Sequence, residues 1–131
     1  MKPIIKIKRI DEPHSKSDGY RILVERLWPR STTKELAGIH AWIRVLAPSS
    51  ALKRWFRCDL VLWPEFTQRY RSELSRNKAV REFTENYGHL KRITLLYAAS
   101  DKEHAHASIL KEHLENAFEL GAEDYKSIYS W

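Results

Sequence analysis

The sequence predicts a single α/β domain built on a small, mostly parallel sheet flanked by helices. Three observations lead there. Ile93-Thr-Leu-Leu-Tyr-Ala-Ala99 is a short uncharged run of the kind found in strands buried on both faces. Segments with apolar residues at helical spacing lie between the strand-like segments, and intervening helices favour parallel pairing. At 131 residues the chain has the length of one domain, enough to bury a core without covalent staples.

Ile5 and Ile7 alternate with Lys6 and Lys8, so a strand is expected over 3–10, one face on the core and one toward water. Asp11 to Gly19 is rich in turn formers and reads as a surface loop. Tyr20-Arg-Ile-Leu-Val-Glu-Arg-Leu27 concentrates aliphatic and β-branched residues, and predicts a central strand that ends before Trp28-Pro29.

Thr32 with Glu35 forms a capping-box pattern, after which Leu36, Ile39, Ile43 and Leu46 predict a helix running to Ala47 and stopped by Pro48. A short helix is expected from Ser50 to Arg57, with Leu52, Trp55 and Phe56 turned inward. Pro64 suits the first turn of the next helix, whose stripe is Trp63, Phe66, Tyr70 and Leu74. Val80, Phe83 and Tyr87 mark another, capped by Gly88.

The run at 93–99 is followed without a gap by a second capping box, Ser100 with Glu103. The helix it opens carries Ala107, Leu110, Leu114, Ala117 and Phe118 and is expected to close at Gly121. Three strands are legible in this way, and the arrangement is Rossmann-like and three-layered. No repeat, low-complexity tract or interdomain linker interrupts residues 1–131.

A net charge of +6 suits an anionic partner: nucleic acid, a nucleotide or a phosphorylated small molecule. Its distribution is uneven. Residues 1–92 hold 20 basic against 10 acidic side chains, and residues 93–131 hold 3 against 7. Cys58 is the only cysteine, so no intrachain disulfide can form and a cytoplasmic setting is expected. No apolar stretch is long enough to span a bilayer, and the N-terminal apolar run is broken by lysines.

In parallel sheets the ligand crevice lies beyond the carboxyl ends of the strands. Two such ends are visible, Glu25-Arg-Leu-Trp-Pro-Arg-Ser31 and Ser100-Asp-Lys-Glu-His-Ala-His106. Arg26 and Arg30 flank a turn that can aim two guanidinium groups at one phosphate or carboxylate, with Glu25 able to pair either of them. The alternative is an internal bridge that only fixes the loop. Trp28 either stacks on a base or plugs the core. Ser31, Ser100 and Asp101 complete the ligand-binding candidates, and Glu25, His104 and His106 the catalytic ones.

His104 and His106 are two residues apart, so on a helix they point about 200° apart and do not form a metal pair. Either alone has the titration range of a general acid or base. At the last strand–helix junction Asp101 and Glu103 already supply negative charge, and none of the 4 glycines lies in that turn, so a phosphate-cradling loop is excluded. His40 is read beside the stripe of the helix ending at Ala47, while His14, His89 and His113 are assigned to loops or outer faces. Cys58, without a visible base, reads as a small packed hydrophobe. Nothing in the pattern specifies a cofactor, a metal or an oligomeric state.

Asp18-Gly-Tyr-Arg-Ile-Leu-Val-Glu-Arg-Leu-Trp-Pro-Arg30, Trp42 with Leu46-Ala-Pro-Ser49, Leu52-Lys-Arg-Trp-Phe56, Trp63-Pro-Glu-Phe66 with Arg69-Tyr70, and Thr94-Leu-Leu-Tyr-Ala-Ala99 with His104 resemble the YeaO-like branch of the "domain of unknown function 488" family. The resemblance runs from Ile4 to Leu120 and implies a compact α/β domain with no settled activity. In the wider family an acidic residue and an arginine follow a central strand, and a Cys-His-Arg tripeptide marks the last helix. Glu25 and Arg26 resemble the first, and His106 resembles the histidine of the second. Ala105 and Ala107 stand in place of the Cys and Arg, and Ser31 in place of a glycine, so the resemblance carries no thiol chemistry to this chain.

Two functional readings result. One is a site for an anionic or nucleotide-like small molecule at the strand ends, with or without catalysis. The other is a basic module for nucleic acid or protein, which lacks any helix-turn-helix, zinc-finger or RNA-stacking signature.

Overall fold

The computed structural model describes residues 2–30, 38–99 and 104–128, with side chains described as far as residue 120. Four strands form one all-parallel sheet: β1 (Ile4–Arg9), β2 (Tyr20–Leu23), β3 (Ala41–Trp42) and β4 (Arg92–Tyr97), in the order β1-β4-β2-β3. Helices α1 (Ser50–Phe56), α2 (Trp63–Ser75), α3 (Lys78–Tyr87) and α4 (His106–Ile128) supply the rest.

β4 lies between β1 and β2, with every residue from Ile93 to Tyr97 buried. Ile93, Leu95 and Tyr97 join Ile5 and Ile22 in a core completed by Leu52 of α1, Phe66, Tyr70 and Leu74 of α2, Val80 and Phe83 of α3, and Leu110 and Leu114 of α4. The second face is different. Leu23 and Leu96 meet Ile39, with Ile10 and Trp28 against them, under a cover of loop. The Thr32–Glu35 capping box lies outside the described residues.

Lys6, Thr94 and Arg21 stand level across the sheet on this second face. The loop from β1 to β2 drops Asp18 onto them. It is fully buried, with Lys6 Nζ at 2.7 Å, Lys8 Nζ at 3.0 Å and the Arg21 guanidinium in direct contact. Burial alone would raise its pKa, but the Lys6 ammonium, the Ser15 amide, Lys8 and Arg21 outweigh that and hold the carboxyl well below the usual carboxylate range. Thr94 Oγ1 donates to the Asp18 carbonyl at 2.7 Å. Gly19 then turns at φ +64°, where a Cβ would lie 2.4 Å from the Arg92 carbonyl oxygen.

Six expectations are corrected. The helix expected up to Ala47 is absent over its described part: Ala41–Trp42 pairs with Ile22–Leu23, and Arg44–Leu46 is a single 3-10 turn. The spacing of Ile39, Ile43 and Leu46 fits a helix, but the edge of β2 needs partners. Arg21 O accepts from His40 N at 2.8 Å and Leu23 O from Ile43 N at 3.0 Å. His40 therefore sits beside a strand, its Nδ1 accepting from Arg21 N at 2.9 Å.

The strand expected to reach Leu27 ends at Leu23; after the Val24 N bond to Leu96 O, side chains take up the backbone carbonyls. The last helix begins at His106, so it does not follow β4 without a gap, and its expected cap at Ser100 lies outside the described residues. It also continues through Gly121 to Ile128, the roughly 1 kcal/mol cost of a mid-helix glycine being tolerated there. His113, expected on an outer face, is buried, and Cys58, expected to pack, is exposed with φ 56°.

Candidate functional site

β2 stops where the chain fans out between β3 and β4, and the polar groups released there are taken up by side chains. Val24 N still donates to Leu96 O at 3.0 Å. Val24 O accepts from His106 Nε2 at 2.7 Å, and Glu25 O from Trp42 Nε1 at 2.6 Å. The Glu25 carboxylate, nearly buried, accepts from Ala98 N at 2.8 Å just past β4, while its other oxygen lies 3.5 Å from Lys53 Nζ. The strand ends are therefore joined through Glu25.

Arg26 is spent on its neighbours. Its Nη2 donates to Ala47 O at 2.9 Å and its Nε to Pro48 O at 3.2 Å, while Arg44 Nη2 reaches Arg26 O at 3.3 Å. These bonds hold the segment that leads into α1. Tyr70 Oη assists by donating to Leu46 O at 2.5 Å. Neither arginine pairs with Glu25. Arg30 is exposed.

Beside this junction lies a cleft of about 410 Å³ lined by Glu25, Arg26, Leu27, Ser50, Lys53 and Arg54. Three cationic residues and one carboxylate line it, the Arg26 guanidinium being turned to Ala47 O and Pro48 O. Lys53 is held only by the 3.5 Å contact and its side chain is half exposed; Arg54 forms no ion pair among the described residues. The sequence reading found Glu25 and Arg26 but missed Lys53, Arg54 and Ser50. They belong to a short amphipathic helix, and only the fold carries its outer face to the end of β2.

Among the described residues, the candidates His104, His106, Trp28 and Arg30 do not line this cleft. His106 is buried against Tyr70, ring centroids 6.0 Å apart. Burial pushes its imidazole below the ordinary histidine value, with the Glu25 carboxylate and the Val24 carbonyl acting the other way. His104 meets Trp63 edge-on at 5.2 Å, so the two histidines serve different neighbours. Trp28 packs on Leu23, Ile39 and Leu96 and meets Trp42 edge-on at 5.2 Å. Ser31, Ser100 and Asp101 lie outside the described residues. Among the described residues, no cluster of three or more His, Cys, Asp or Glu side chains forms a metal-binding group, and no helix is long and apolar enough to cross a membrane.

A buried histidine flanked by two alanines, with Glu25 and Arg26 at the neighbouring strand end, is the pattern to set against known families. A family model described as "Inactive DUF488-N3 subclade" matches residues 4–129. The chain belongs to this DUF488 family. It is 33% identical over 112 residues to the uncharacterized protein YeaO of Escherichia coli K12, covering 86% of this chain and 97% of that protein. It is 29% identical over 110 residues to the uncharacterized protein Rv3073c of Mycobacterium tuberculosis H37Rv, covering 84% and 92%. The uncharacterized protein Mb3100c of Mycobacterium bovis stands at the same identity and coverage. No solved structure matches the chain.

Proposed function

We propose that this DUF488 domain binds a small anionic ligand in the cleft beside the end of β2, and does so without a catalytic step. The observation that carries the reading is the lining: Arg26, Lys53 and Arg54 against Glu25, whose carboxylate is already engaged by the Ala98 amide. A phosphate or carboxylate entering there meets one loosely held ammonium and one guanidinium that forms no ion pair among the described residues.

The absence of catalysis is argued from His106 and its flanks. A general base needs a free nitrogen near a reacting group. Here Nε2 is committed to Val24 O, and the ring is buried outside the lining of the cleft, so Nδ1 has no ligand group beside it there. Ala105 and Ala107 offer neither a nucleophile nor a charge beside it. The word "inactive" in the family's description agrees with this reading. A cytoplasmic setting fits a chain whose single cysteine has no intrachain partner.

The test is calorimetric titration with inorganic phosphate, pyrophosphate and citrate, repeated on Lys53→Ala/Arg54→Ala. Saturable binding by the native chain that drops at least tenfold in the double variant is expected. Equal affinity in both proteins removes the cleft from the function.

A further inference from the structure

We infer that the ligand of this cleft carries a flat heteroaromatic group as well as its anionic one, as a nucleoside phosphate does, and that the face of Trp42 receives it. The inference rests on the proposed anion cleft. It adds a second contact, independent of Lys53 and Arg54.

Trp42 is 37% exposed, an unusual position for an indole whose N–H is fixed by a 2.6 Å bond to Glu25 O. That bond sets the ring against the backbone of the cleft itself, since Glu25 and Arg26 are lining residues. The Arg44 guanidinium lies over the ring, 4.6 Å from its centroid, and reaches Arg26 O through a long 3.3 Å contact. Trp28 supports the indole edge-on. A rigid aromatic ring thus stands at the border of a cationic cleft, covered by a planar, exposed and weakly tethered group.

Relative strengths favour exchange. An exposed cation–π contact is worth a factor of about two to five in an equilibrium. A stacked nucleobase is worth about five- to a hundredfold. A base therefore displaces Arg44 from the ring, and the freed guanidinium stays beside the cleft, where it adds a cation for the phosphates. The Trp28–Trp42 pair stays in place, because Trp28 is held by the packing of Leu23, Ile39 and Leu96.

The experiment compares ADP, pyrophosphate and adenosine by calorimetry on the native chain, Trp42→Ala, Trp42→Phe and Lys53→Ala/Arg54→Ala, each checked for folding by circular dichroism. In the native chain ADP is expected to bind at least fivefold tighter than pyrophosphate. Trp42→Ala should erase that advantage and leave pyrophosphate affinity within twofold. Trp42→Phe, which keeps a flat ring but loses the N–H donor, should retain most of it, which separates stacking from the bond to Glu25. If ADP and pyrophosphate bind the native chain equally, the aromatic inference fails and the anion cleft survives. If neither binds, both fail. Tight binding of a single-stranded oligonucleotide with no binding of ADP also overturns it.

Discussion

His106 Nε2 donates to the carbonyl oxygen of Val24 across 2.7 Å, tying the first turn of α4 to the end of β2. A carbonyl can only accept, so Nε2 carries a proton, and burial, which holds the imidazole below its ordinary value, favours the neutral form. One of the histidines singled out in the sequence thus ties a helix to the sheet.

Removing that donor leaves a buried carbonyl unpaired. His106→Leu is expected to lower unfolding stability by about 1–3 kcal/mol. Urea denaturation of the two proteins checks this, and an unchanged midpoint would mean that the bond contributes nothing.

Acid should weaken the fold as the unfolded chain takes up protons that a buried histidine refuses. Burial, helped by the nearby Arg71 guanidinium, holds the His113 imidazole at about 4, against an ordinary 6.5. Between those values the unfolded chain binds a proton that the folded chain refuses, so stability is complete above about pH 6.5 and falls as the pH drops toward 4. The loss from this one residue is at most roughly 3 kcal/mol. His106 acts in the same direction. Urea midpoints measured from pH 7.5 to 4.5 should decline, and less steeply in His113→Leu.

Asp18 titrates lower still. Its depressed pKa means that its contribution is present above the ordinary value of 3.8 and disappears as the pH falls below it. Asp18→Asn strands Lys6, Lys8 and Arg21 around a neutral amide, at an expected cost of about 3–5 kcal/mol. The variant should also lose the part of the acid transition that lies below pH 4. A Tm within a few degrees of the native chain would refute the structural role of the cluster.

Gly19 should tolerate no side chain. Its φ of 64° with ψ of −131° is glycine territory, and the Arg92 backbone occupies the space a methyl would need. Gly19→Ala is expected to cost at least about 1–3 kcal/mol, read as a lowered thermal midpoint.

The α/β class and parallel pairing were legible because β4 and helices α2 to α4 carry their burial in their own spacing: Phe66, Tyr70 and Leu74, or Leu110 and Leu114, repeat where a helix needs them. β3 was not legible. Two residues of strand have no period, and their pairing is dictated by the unpaired edge of β2 rather than by Ala41 or Trp42 themselves. The site was half visible for the same reason. Glu25 and Arg26 follow a strand and could be found by that rule. Lys53 and Arg54 reach the cleft only because Arg26 holds Ala47 and Pro48, a contact between residues about twenty positions apart. The loop position of Asp18 gave no hint that it is the most buried carboxylate described; its partners come from two strands and a turn.

The strand order also bears on how the protein is made. Among the described residues β1 pairs with β4 alone, so Ile4–Arg9 has no partner until residue 97 has been synthesised. Until then Ile4–Arg9 is an open edge, and its alternating lysines keep a nascent chain from joining its neighbours by that edge. Closure of the sheet waits for the C-terminal third, which makes folding a late, single event dominated by distant contacts.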